Sequence, residues 1–487
     1  MSSRAAGFVL LLLAVCTSRA QEPAVHGPPP DIARALERAR STQQWIPATR
    51  LAALQGIYRS RAFRPLWLTG ALPTSEALSV LEVLRNAEDY GLMAQDYMTE
   101  PPPLLQPPGP GPANASARAD RLAAFDVGLS AAVVRFLTDL HFGRIDARKA
   151  GFDLQFSRPS LNLGSLLERL CGAEDVRTVI TSIEPPFYHY LLLRKSLARY
   201  RLLESGQAIP TPAERSTAPY SKRIRQIELT LERWRWLPAF DTPPIIVNIP
   251  QFRLFAFRST VDRKADILQM DVIVGRTYPK LHTPIFAADL KYVIFRPYWD
   301  VPASITRSEM IPAIRARPDY LRRQHLEIVR GSGDAAAIVD LSPQALQELE
   351  TGRLRLRQQP GADNALGLVK FMLPNPYNVY LHSTPAPGLF SQSRRAFSHG
   401  CIRVSDPVAL AAYVLRDSPG NWTPQTILEA MQASRSSRVA LARPIRVMIL
   451  YGTALALEDG STSFFQDIYG HDRRLERLLG LSPAGGP

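Results

Sequence analysis

The sequence is poor in cysteine, with three among 487 residues. An exported protein stabilised by disulfides would contain more cysteines, usually at patterned spacings. A single bridge between Cys171 and Cys401 stays possible, but a disulfide framework is excluded. Acidic residues are also few: the chain has 44 Asp and Glu and 58 Lys and Arg, which gives a net charge of +14. This balance favours an anionic partner, such as nucleic acid, an acidic membrane surface or an anionic wall polymer.

Two further absences narrow the possible partners and folds. Runs of Lys and Arg with interleaved aromatic residues, which are typical of nucleic-acid-binding proteins, are absent, so nucleic acid is disfavoured as a partner. No period of about 20 to 50 residues repeats, which excludes solenoids and propellers. With 487 residues, the chain is too long for one ordinary core, and two or three domains are expected.

The N-terminus carries the one conspicuous apolar run, AGFVLLLLAV, after the positively charged Arg4. This run of about ten residues is too short to span a bilayer as a retained helix. The sequence SRA, ending at Ala20, provides a small-x-small cleavage site, so residues 1–20 are predicted to be an export signal peptide. Cys16 follows LAV, a weak match to a lipoprotein signal, and lipid anchoring there is the minor alternative.

The first part of the mature chain shows helical periodicity. Apolar residues recur at helical spacing in SEALSVLEVLRNAEDYGL and ADRLAAFDVGLSAAVVRFLTDLHFG. The second of these segments ends at Gly143, as a helix C-cap would. The proline-rich run PPPLLQPPGPGPANA, from Pro101, lies between them as a loop. We therefore predict a helical scaffold domain over residues 30–205, a linker over 206–222 and a connecting helix over 223–240.

Beyond Pro238 the periodicity changes to alternation. The short β-branched or aromatic runs IIVNIPQFRLFAF, MDVIVGR, LKYVIFRPYWDVP and YNVYLHS are bounded by Pro, Gly and Asp, which is typical of strands. A helical pattern returns at about 305–356 and predicts an insertion between the strands. The sequence thus predicts a β-rich domain at 241–455 that contains this insertion. Residues 456–487 follow as a C-terminal tail to which the sequence assigns no structure.

The loop around residue 400 concentrates reactive residues. Cys401 lies two residues after His399 and two before Arg403, and a second histidine, His382, lies nineteen residues upstream. A cysteine attacks as the thiolate, so it requires a base or a positive field nearby. Gly400 lets the backbone approach closely, and the amides around Gly400 and Cys401 would bind an oxyanion. These residues favour a Cys/His site for acyl transfer.

Two alternatives to a reactive thiol stay open. His382, His399 and Cys401 would form a His₂Cys zinc set, although a fourth ligand at metal-like spacing is missing. A lone loop cysteine is most often a small buried residue. The position of Cys401 between a His-Gly pair and Arg403 favours the reactive residue over both.

The segment SHGCIR, with His382 upstream, resembles the signature of the L,D-transpeptidases of the YkuD type. That signature is a histidine, a spacer, and then Ser or Thr followed by His-Gly-Cys, an apolar residue and Arg or Asn. The segments TPIF, KYVIFRPYWDVPASI and PGADNALGLVKFMLPNPYNVYLHSTP resemble the larger, multidomain YcbB-like branch of the family. FRPLWL, NAEDYGLMAQDY and HFGRID resemble the scaffold domain of that branch. The resemblance covers nearly all of the predicted mature chain.

The resemblance implies roles for individual residues. Cys401 corresponds to the nucleophile, His382 to the proton acceptor and donor, and Ser383 to the residue whose backbone carbonyl orients that histidine. Gly400 corresponds to the oxyanion site. The positions that bind substrate or shape the loop are Ser398, His399, Arg403, Tyr380, Trp299 and Asn364. The insertion at about 305–356 corresponds to a mobile cap over the groove.

The fold implied by the resemblance is α+β, with a helical scaffold domain followed by a β-sandwich-like catalytic domain that carries a helical cap insertion. The implied activity is peptidoglycan L,D-transpeptidation in the periplasm of a Gram-negative-type bacterium. It would form 3→3 crosslinks between stem peptides through a cysteine thioester, release the terminal D-alanine, and require no metal or organic cofactor. Carbapenems are expected to acylate Cys401, and other wall-synthesis enzymes are expected partners. Carboxypeptidase activity, D-amino-acid exchange, protein tethering and a non-catalytic wall-binding role remain alternatives.

One departure from the family pattern concerns wall binding. The larger branch commonly carries a small helical peptidoglycan-binding module between the scaffold and catalytic domains. Residues 202–223 are predicted as a linker and leave no room for such a module. Attachment to the wall is therefore expected to depend on the scaffold, the cap and the basic surface.

Overall fold

The computed structural model describes residues 31–42, 48–97, 113–154, 156, 160–215, 217–258, 267–276, 278–331, 333 and 336–481. These residues divide into two compact units. The first comprises the described residues up to 85, with 95–135 and 162–179, and the second comprises 86–94, 136–161 and the described residues from 180 onward. The predicted signal peptide, residues 1–20, and the possible lipid-anchor position Cys16 lie outside the described residues.

The α-helices are α1 (Ile32–Thr42), α2 (Ala48–Ser60), α3 (Ser75–Arg85), α4 (Ala113–Phe142), α5 (Leu163–Cys171), α6 (Val176–Thr181), α7 (Tyr188–Glu204), α8 (Tyr220–Trp234), α9 (Ala303–Ile305), α10 (Ile311–Ala316), α11 (Tyr320–Arg323), α12 (Pro343–Thr351), α13 (Pro407–Leu415), α14 (Pro424–Gln432) and α15 (His471–Leu478). A π turn, Thr306–Met310, joins α9 to α10. Within the described part of the chain, no helix combines the length and the apolar character needed to cross a bilayer.

The β-strands are β1 (Leu68–Thr69), β2 (Leu72–Pro73), β3 (Ile245–Asn248), β4 (Arg253–Ala256), β5 (Leu268–Gly275), β6 (Ala287–Phe295), β7 (Trp299–Asp300), β8 (Leu326–Arg330), β9 (Ala337–Val339), β10 (Arg355–Gln358), β11 (Val369–Met372), β12 (Leu381–His382), β13 (Ala396–Ser398), β14 (Ile402–Val404), β15 (Ser437–Leu450), β16 (Ala454–Ala456) and β17 (Thr462–Phe464). The helical first part and the β-rich second part confirm the predicted α+β class.

The first unit is held together around Asp126, a fully buried carboxylate on α4. The Tyr58 hydroxyl donates to it at 2.6 Å, and the backbone N–H groups of Leu66 and Trp67 donate to it at 3.0 and 2.8 Å. A buried carboxylate is costly unless it is hydrogen-bonded. These three donors meet that requirement and fix the FRPLWL segment against α4.

The first unit is smaller than the helical domain predicted over 30–205, because α7 belongs to the second unit. α7 packs on α8 and β16 around an apolar cluster that includes Tyr190, Leu197, Leu231 and Ala454. This cluster depends on contacts between residues more than 200 positions apart, which helical periodicity alone does not reveal.

The predicted connecting helix is α8, which begins three residues earlier than expected and ends at Trp234 rather than 240. Its Glu232 carboxylate accepts the N–H groups of Arg144 and Ile145 at 2.6 and 3.0 Å and the Arg235 guanidinium at 3.1 Å. Gly143 has φ +87°, and a β-carbon there would lie 2.8 Å from the Glu232 carboxylate. Glycine is therefore required where the HFGRID segment meets α8.

The β-rich second part is built on a nine-stranded sheet in the order β13-β5-β14-β12-β11-β6-β15-β3-β4. β4 also pairs with β5, so the strand circuit closes on itself. The interior is filled by apolar side chains from successive strands, including Val272, Val293, Phe371 and Val447. The two layers of the predicted sandwich-like domain are thus parts of one closed sheet.

Two strand assignments differ from those predicted. In YNVYLHS only Leu381 and His382 form a strand, because Asn375 and its neighbours form a turn whose Asn375 side chain binds the Val379 N–H and C=O. The longest strand, β15, was not assigned from sequence. It contains Arg and Pro among its apolar residues and shifts register between Ala440 and Ile445, so its alternation is interrupted.

The insertion predicted at about 305–356 is present and is not only helical. Beside α9 to α12 it contains an antiparallel sheet in the order β7-β10-β8-β9. Its own apolar cluster includes Ile305, Ile314, Ile328 and Leu356. We call residues 299–358, which contain these elements, the cap.

The segment predicted as a tail, 456–487, is folded over its described part. β17 pairs with β16, and α15 follows. Tyr469 and Leu475 belong to the main apolar core, and Asp472 forms a buried ion pair with Arg233 at 2.6 Å. The helix sequence HDRRLERL is too polar to reveal this packing, since only its contacts with distant residues bury it.

Candidate active site

Three neighbouring strands position the loop that contains SHGCIR, residues 398–403, which we call the reactive loop. β12 pairs in parallel with β14, so that His382 lies opposite Arg403. On its other side β12 pairs antiparallel with β11, and His382 lies opposite Lys370. Residues at opposite positions of paired strands share a face of the sheet. Lys370, His382 and Arg403 therefore form one row, which we call the Lys-His-Arg row, and Cys401 immediately precedes the strand that contributes Arg403.

Ser398 holds the turn that presents Cys401. Its hydroxyl accepts the Gly400 N–H at 3.1 Å and donates to the Cys401 carbonyl at 2.5 Å. Gly400 has φ +124°, a conformation that residues with a β-carbon rarely adopt. The Gly400 N–H, which was predicted to help bind an oxyanion, is thus used inside the turn. That role is left to the Cys401 N–H.

The Cys401 side chain is half-buried, and burial raises the pKa of its thiol. Hydrogen bonds from the backbone and hydroxyl of Tyr380, together with the positive charges of Lys370 and Arg403, act in the opposite direction. The protonated thiol donates to the Asn378 carbonyl, with Sγ 3.7 Å from that oxygen. The resting residue is therefore a thiol whose surroundings stabilise the thiolate once it forms.

Burial lowers the pKa of His382 to about 3, and the positive charge of Arg403 adds to this effect. Hydrogen bonds with the backbone of Ser383 and Leu366 favour the protonated ring but do not compensate. The imidazole is consequently neutral at neutral pH and has a lone pair for the thiol proton. A neutral imidazole and a protonated thiol form the resting pair, so proton transfer accompanies attack on a substrate. The orienting role of Ser383 stays a prediction, because the buried His382 Nδ1 meets no hydrogen-bond partner among the described residues.

Tyr380 connects the Cys401 thiol to the cap. Its side chain forms hydrogen bonds with Cys401 and Trp299, and its ring centroid lies 5.7 Å from that of His382. Burial and the adjacent Cys401 charge raise the pKa of Tyr380 well above its ordinary value. The hydroxyl therefore keeps its proton and can donate it to a thiolate. Trp299, at the start of the cap, reaches the site through this contact.

Lys370 belongs to the same site and was not predicted from the sequence. Its Nζ lies 3.9 Å from the centroid of the Tyr380 ring, a cation–π contact. Burial lowers the pKa of Lys370, whereas the negative charges of Cys401 and Asp300 raise it. A lysine inside the apolar strand segment VKFM is unusual, and this was the signal that the sequence offered.

His399 joins the reactive loop to the cap. Its Nε2 lies 2.8 Å from Glu309 Oε1 and 2.6 Å from a guanidinium nitrogen of Arg276. One ring nitrogen cannot donate and accept at once, so Nε2 pairs with one of these groups at a time: it donates to Glu309 when it carries a proton, and it accepts from Arg276 when it does not. Glu309 lies in the π turn between α9 and α10. That His399 organises the loop stays a prediction.

Arg403 is half-buried, and burial lowers its pKa. Within the described part of the chain, its buried Nε meets no hydrogen-bond acceptor. A guanidinium with an unused donor is suited to a planar anionic group such as a carboxylate. The prediction that Arg403 binds a substrate carboxylate therefore stays a prediction with a physical basis.

Asn364 is buried and lies at the base of the cap. Its amide nitrogen donates to the carbonyls of Pro297 and Gln359 at 3.2 and 2.9 Å, and its amide oxygen accepts the Leu366 N–H at 2.8 Å. These bonds tie together the two connections through which the chain enters and leaves the cap. The polar atoms of Asn364 are thus used at the base of the cap, and its role in substrate binding stays a prediction.

The zinc set and the Cys171–Cys401 bridge, which the sequence left open, can be compared with the structure. Among the described residues, no group of three or more His, Cys, Asp or Glu side chains is arranged to hold a metal ion. Cys171 and Cys401 both have free thiols, so the bridge left open by the sequence is not formed. Burial raises the pKa of Cys171 to about 12, which makes it a poor nucleophile near neutral pH.

Comparison with known proteins identifies two domains in the chain. Residues 243–427 match the family model of the L,D-transpeptidase catalytic domain, and residues 52–197 match that of the Scaffold domain. The chain carries a YkuD-type L,D-transpeptidase catalytic domain together with a scaffold domain. A Haemophilus influenzae protein named "Putative L,D-transpeptidase" is 30% identical over 290 residues, which are 59% of this chain and 55% of the relative. The match thus spans about half the length of that curated relative.

Proposed function

We propose that this protein is a peptidoglycan L,D-transpeptidase that forms 3→3 crosslinks between stem peptides through a thioester on Cys401. The observation that carries the proposal is the position of Cys401 beside the Lys-His-Arg row, inside the residues that match the L,D-transpeptidase catalytic domain. A nucleophile, a neutral base and two cations meet there, which suits acyl transfer on a substrate with carboxylates.

The first half-reaction acylates the enzyme. Cys401 Sγ attacks the carbonyl carbon of the third residue of a stem peptide, and His382 accepts the thiol proton as the C–S bond forms. The Cys401 N–H stabilises the tetrahedral oxyanion. The C–N bond to the terminal D-alanine then breaks, and protonated His382 gives its proton to the leaving amine. The products are a thioester, free D-alanine and a neutral imidazole.

The second half-reaction forms the crosslink. A side-chain amine on the third residue of a neighbouring stem peptide attacks the thioester carbon. His382 takes a proton from this amine, the new C–N bond forms, the C–S bond breaks, and the thiol recovers its proton. One amide is exchanged for another, so the sequence of steps balances without an oxidant, a reductant or a nucleotide.

The charge of the chain fits the proposed substrate and compartment. A net charge of +14 attracts a wall polymer that is dense in carboxylates. Screening limits this attraction to about 8 Å at physiological ionic strength, so it steers encounter more than it adds affinity. The signal peptide predicted at residues 1–20 would deliver the protein to the periplasm, where stem peptides and other wall-synthesis enzymes are found.

Purified muropeptides with tetrapeptide stems test the proposal, with products identified by mass. We expect the wild type to release one D-alanine for each 3→3 dimer and to show a transient tripeptide acyl adduct. Cys401→Ala should give neither product nor adduct. Cys171→Ala is the matched control and should retain both, because that half-buried thiol lies outside the site.

The same assay distinguishes the alternatives. Tripeptide without dimer would indicate a carboxypeptidase and refute crosslinking. Incorporation of an added D-amino acid without dimer would indicate exchange. Absence of any acyl adduct on the wild type, with equal wall binding by Cys401→Ala, would indicate a non-catalytic scaffold.

A further inference from the structure

A hydrogen-bonded cluster lies directly behind the turn that carries Cys401. The Thr283 hydroxyl accepts the Gly275 N–H at 2.9 Å and donates to the Gly400 carbonyl at 2.8 Å. The Thr283 N–H donates to the Tyr469 hydroxyl at 3.2 Å, and that hydroxyl donates to the Gly275 carbonyl at 2.5 Å. We call Gly275, Thr283, Tyr469 and Gly400 the supporting cluster.

The direction of every bond in the supporting cluster is determined. A backbone N–H can only donate and a backbone carbonyl can only accept. Because the Thr283 hydroxyl accepts from the Gly275 amide, its own proton must point at the Gly400 carbonyl. The same reasoning directs the Tyr469 proton to the Gly275 carbonyl. Thr283 and Tyr469 are buried, so water does not compete for these groups.

The bond to Gly400 fixes the orientation of the next amide. In a trans peptide the carbonyl and the following N–H point to opposite sides. The Gly400 carbonyl points into the protein at Thr283, so the Cys401 N–H points away from Thr283. Since Ser398 already binds the Gly400 N–H at 3.1 Å, the Cys401 N–H is the amide of this turn that can meet a substrate oxygen.

We infer that Thr283, supported by Tyr469, is a positioning residue that holds the Cys401 N–H in the direction required to bind the oxyanion of the tetrahedral intermediate. This inference rests on the proposed acyl transfer and adds to it two residues outside the SHGCIR segment. A fixed donor is already aimed at the developing charge, so no reorganisation is needed during the reaction.

The packing around the supporting cluster leaves little freedom for other arrangements. A methyl group added at Gly275 would overlap the Leu281 carbonyl, and one added at Gly400 would lie 3.2 Å from the His282 carbonyl. Tyr469 is itself held, because its N–H donates to the Tyr451 hydroxyl at 2.9 Å. The C-terminal segment is thus part of the support of the reactive loop.

Two reactions of Cys401 separate oxyanion stabilisation from simple loop folding. Acylation by a tetrapeptide stem passes through a tetrahedral oxyanion, whereas alkylation by iodoacetamide displaces iodide and forms none. Both rates are measured on the full chain by mass, with the Cys401 peptide identified after digestion. Thr283→Val removes the hydroxyl at nearly constant volume, and Thr283→Ser keeps the hydroxyl.

We expect Thr283→Val to slow acylation by about 10- to 100-fold, below the loss of roughly 100- to 1,000-fold that follows removal of an oxyanion donor itself. Its alkylation rate should stay within about twofold of the wild type, because alkylation does not use the amide. Thr283→Ser should restore acylation to within about threefold, and Tyr469→Phe should cause a smaller loss than Thr283→Val, since it acts one bond further away.

Thr230→Val is the matched control. The Thr230 hydroxyl also accepts a backbone N–H, from Ala454 at 3.3 Å, and donates to a backbone carbonyl, of Gln226 at 2.8 Å. It is equally buried and lies on α8. This variant should suffer a similar loss of thermal stability but acylate at the wild-type rate.

Several outcomes would overturn the inference. Acylation of Thr283→Val at the wild-type rate would show that the hydroxyl does not position the amide. A parallel fall of acylation and alkylation would show that Thr283 only keeps the loop folded. Failure of the wild type itself to be acylated would instead refute the proposed function, while normal alkylation shows that the thiol is intact.

Discussion

Replacing Lys370 by methionine tests whether its charge acts on the Cys401 thiol. Lys370 on β11 lies two strand spacings from β14, the strand that Cys401 precedes, and we take roughly 9.6 Å as the separation of the two charges. At an effective dielectric constant of about 20, a unit charge at that separation contributes about 1.7 kcal/mol. Its loss should lower the thiolate population by about 20-fold at a fixed pH below the thiol pKa, since about 1.4 kcal/mol corresponds to a factor of ten.

The reaction rate is expected to fall less than the thiolate population. A more basic thiolate is a better nucleophile, with a Brønsted coefficient of about 0.4 to 0.5, which offsets about half of the loss on a logarithmic scale. Lys370→Met should therefore react with a disulfide reagent about fivefold more slowly than the wild type. A neutral aromatic disulfide is the appropriate reagent, because the missing charge then does not change its attraction to the site.

Two control variants make the measurement specific. Lys370→Arg keeps a positive charge in the Lys-His-Arg row and should react at close to the wild-type rate. Lys291→Met removes an exposed lysine from β6 of the same sheet and should have no effect. A Lys370→Met rate within about 1.5-fold of the wild type, against the fivefold change expected, would refute an electrostatic action of Lys370 on the thiol.

Two further predictions concern the cap and acid stability. Glu309→Gln weakens the exposed contact with His399 and should speed hydrogen exchange in α9 and α10. The control Glu350→Gln breaks an ion pair inside the cap and should leave that exchange unchanged. For Glu309→Gln, kcat/KM should change by less than about threefold, because exposed ion pairs are weak. Burial lowers the pKa of His471 to about 3, below its ordinary value of about 6.5. Between these two values the unfolded chain binds a proton at this histidine and the folded protein does not. The free energy of unfolding therefore falls as the pH drops from about 6.5 toward 3. The free energy of unfolding, measured with denaturant at pH 7 and at pH 5, should fall by about 2 kcal/mol less for His471→Phe than for the wild type. Equal falls would contradict this account.

The reactive loop was recognisable because its members are close in sequence. Cys401 lies within two residues of His399 and Arg403, and the SHGCIR segment resembles a specific family signature. His382 lies nineteen residues upstream, and its role as the base was assigned only through that resemblance. The structure supplies the physical link, since the parallel pairing of β12 with β14 places His382 opposite Arg403.

Other parts of the site depend on pairings that periodicity does not encode. Lys370 joins the Lys-His-Arg row because of the register between β11 and β12, and a slip of one residue would move it to the opposite face. Thr283 and Tyr469 are separated by 186 positions and meet only through the tertiary fold. No local pattern marks either residue as part of the reactive loop.

The Lys-His-Arg row has opposite effects on the two reactive residues. Positive charges from Lys370 and Arg403 favour the thiolate of Cys401 and disfavour a proton on His382. His382 is therefore a weak base in the resting site, and when protonated it is a strong acid. In the reaction proposed above, D-alanine departs as an amine, and an amine leaves readily only when it receives a proton from a strong acid. The Lys-His-Arg row would thus favour breakdown of the tetrahedral intermediate of that reaction towards the thioester, at the expense of a slower initial removal of the thiol proton.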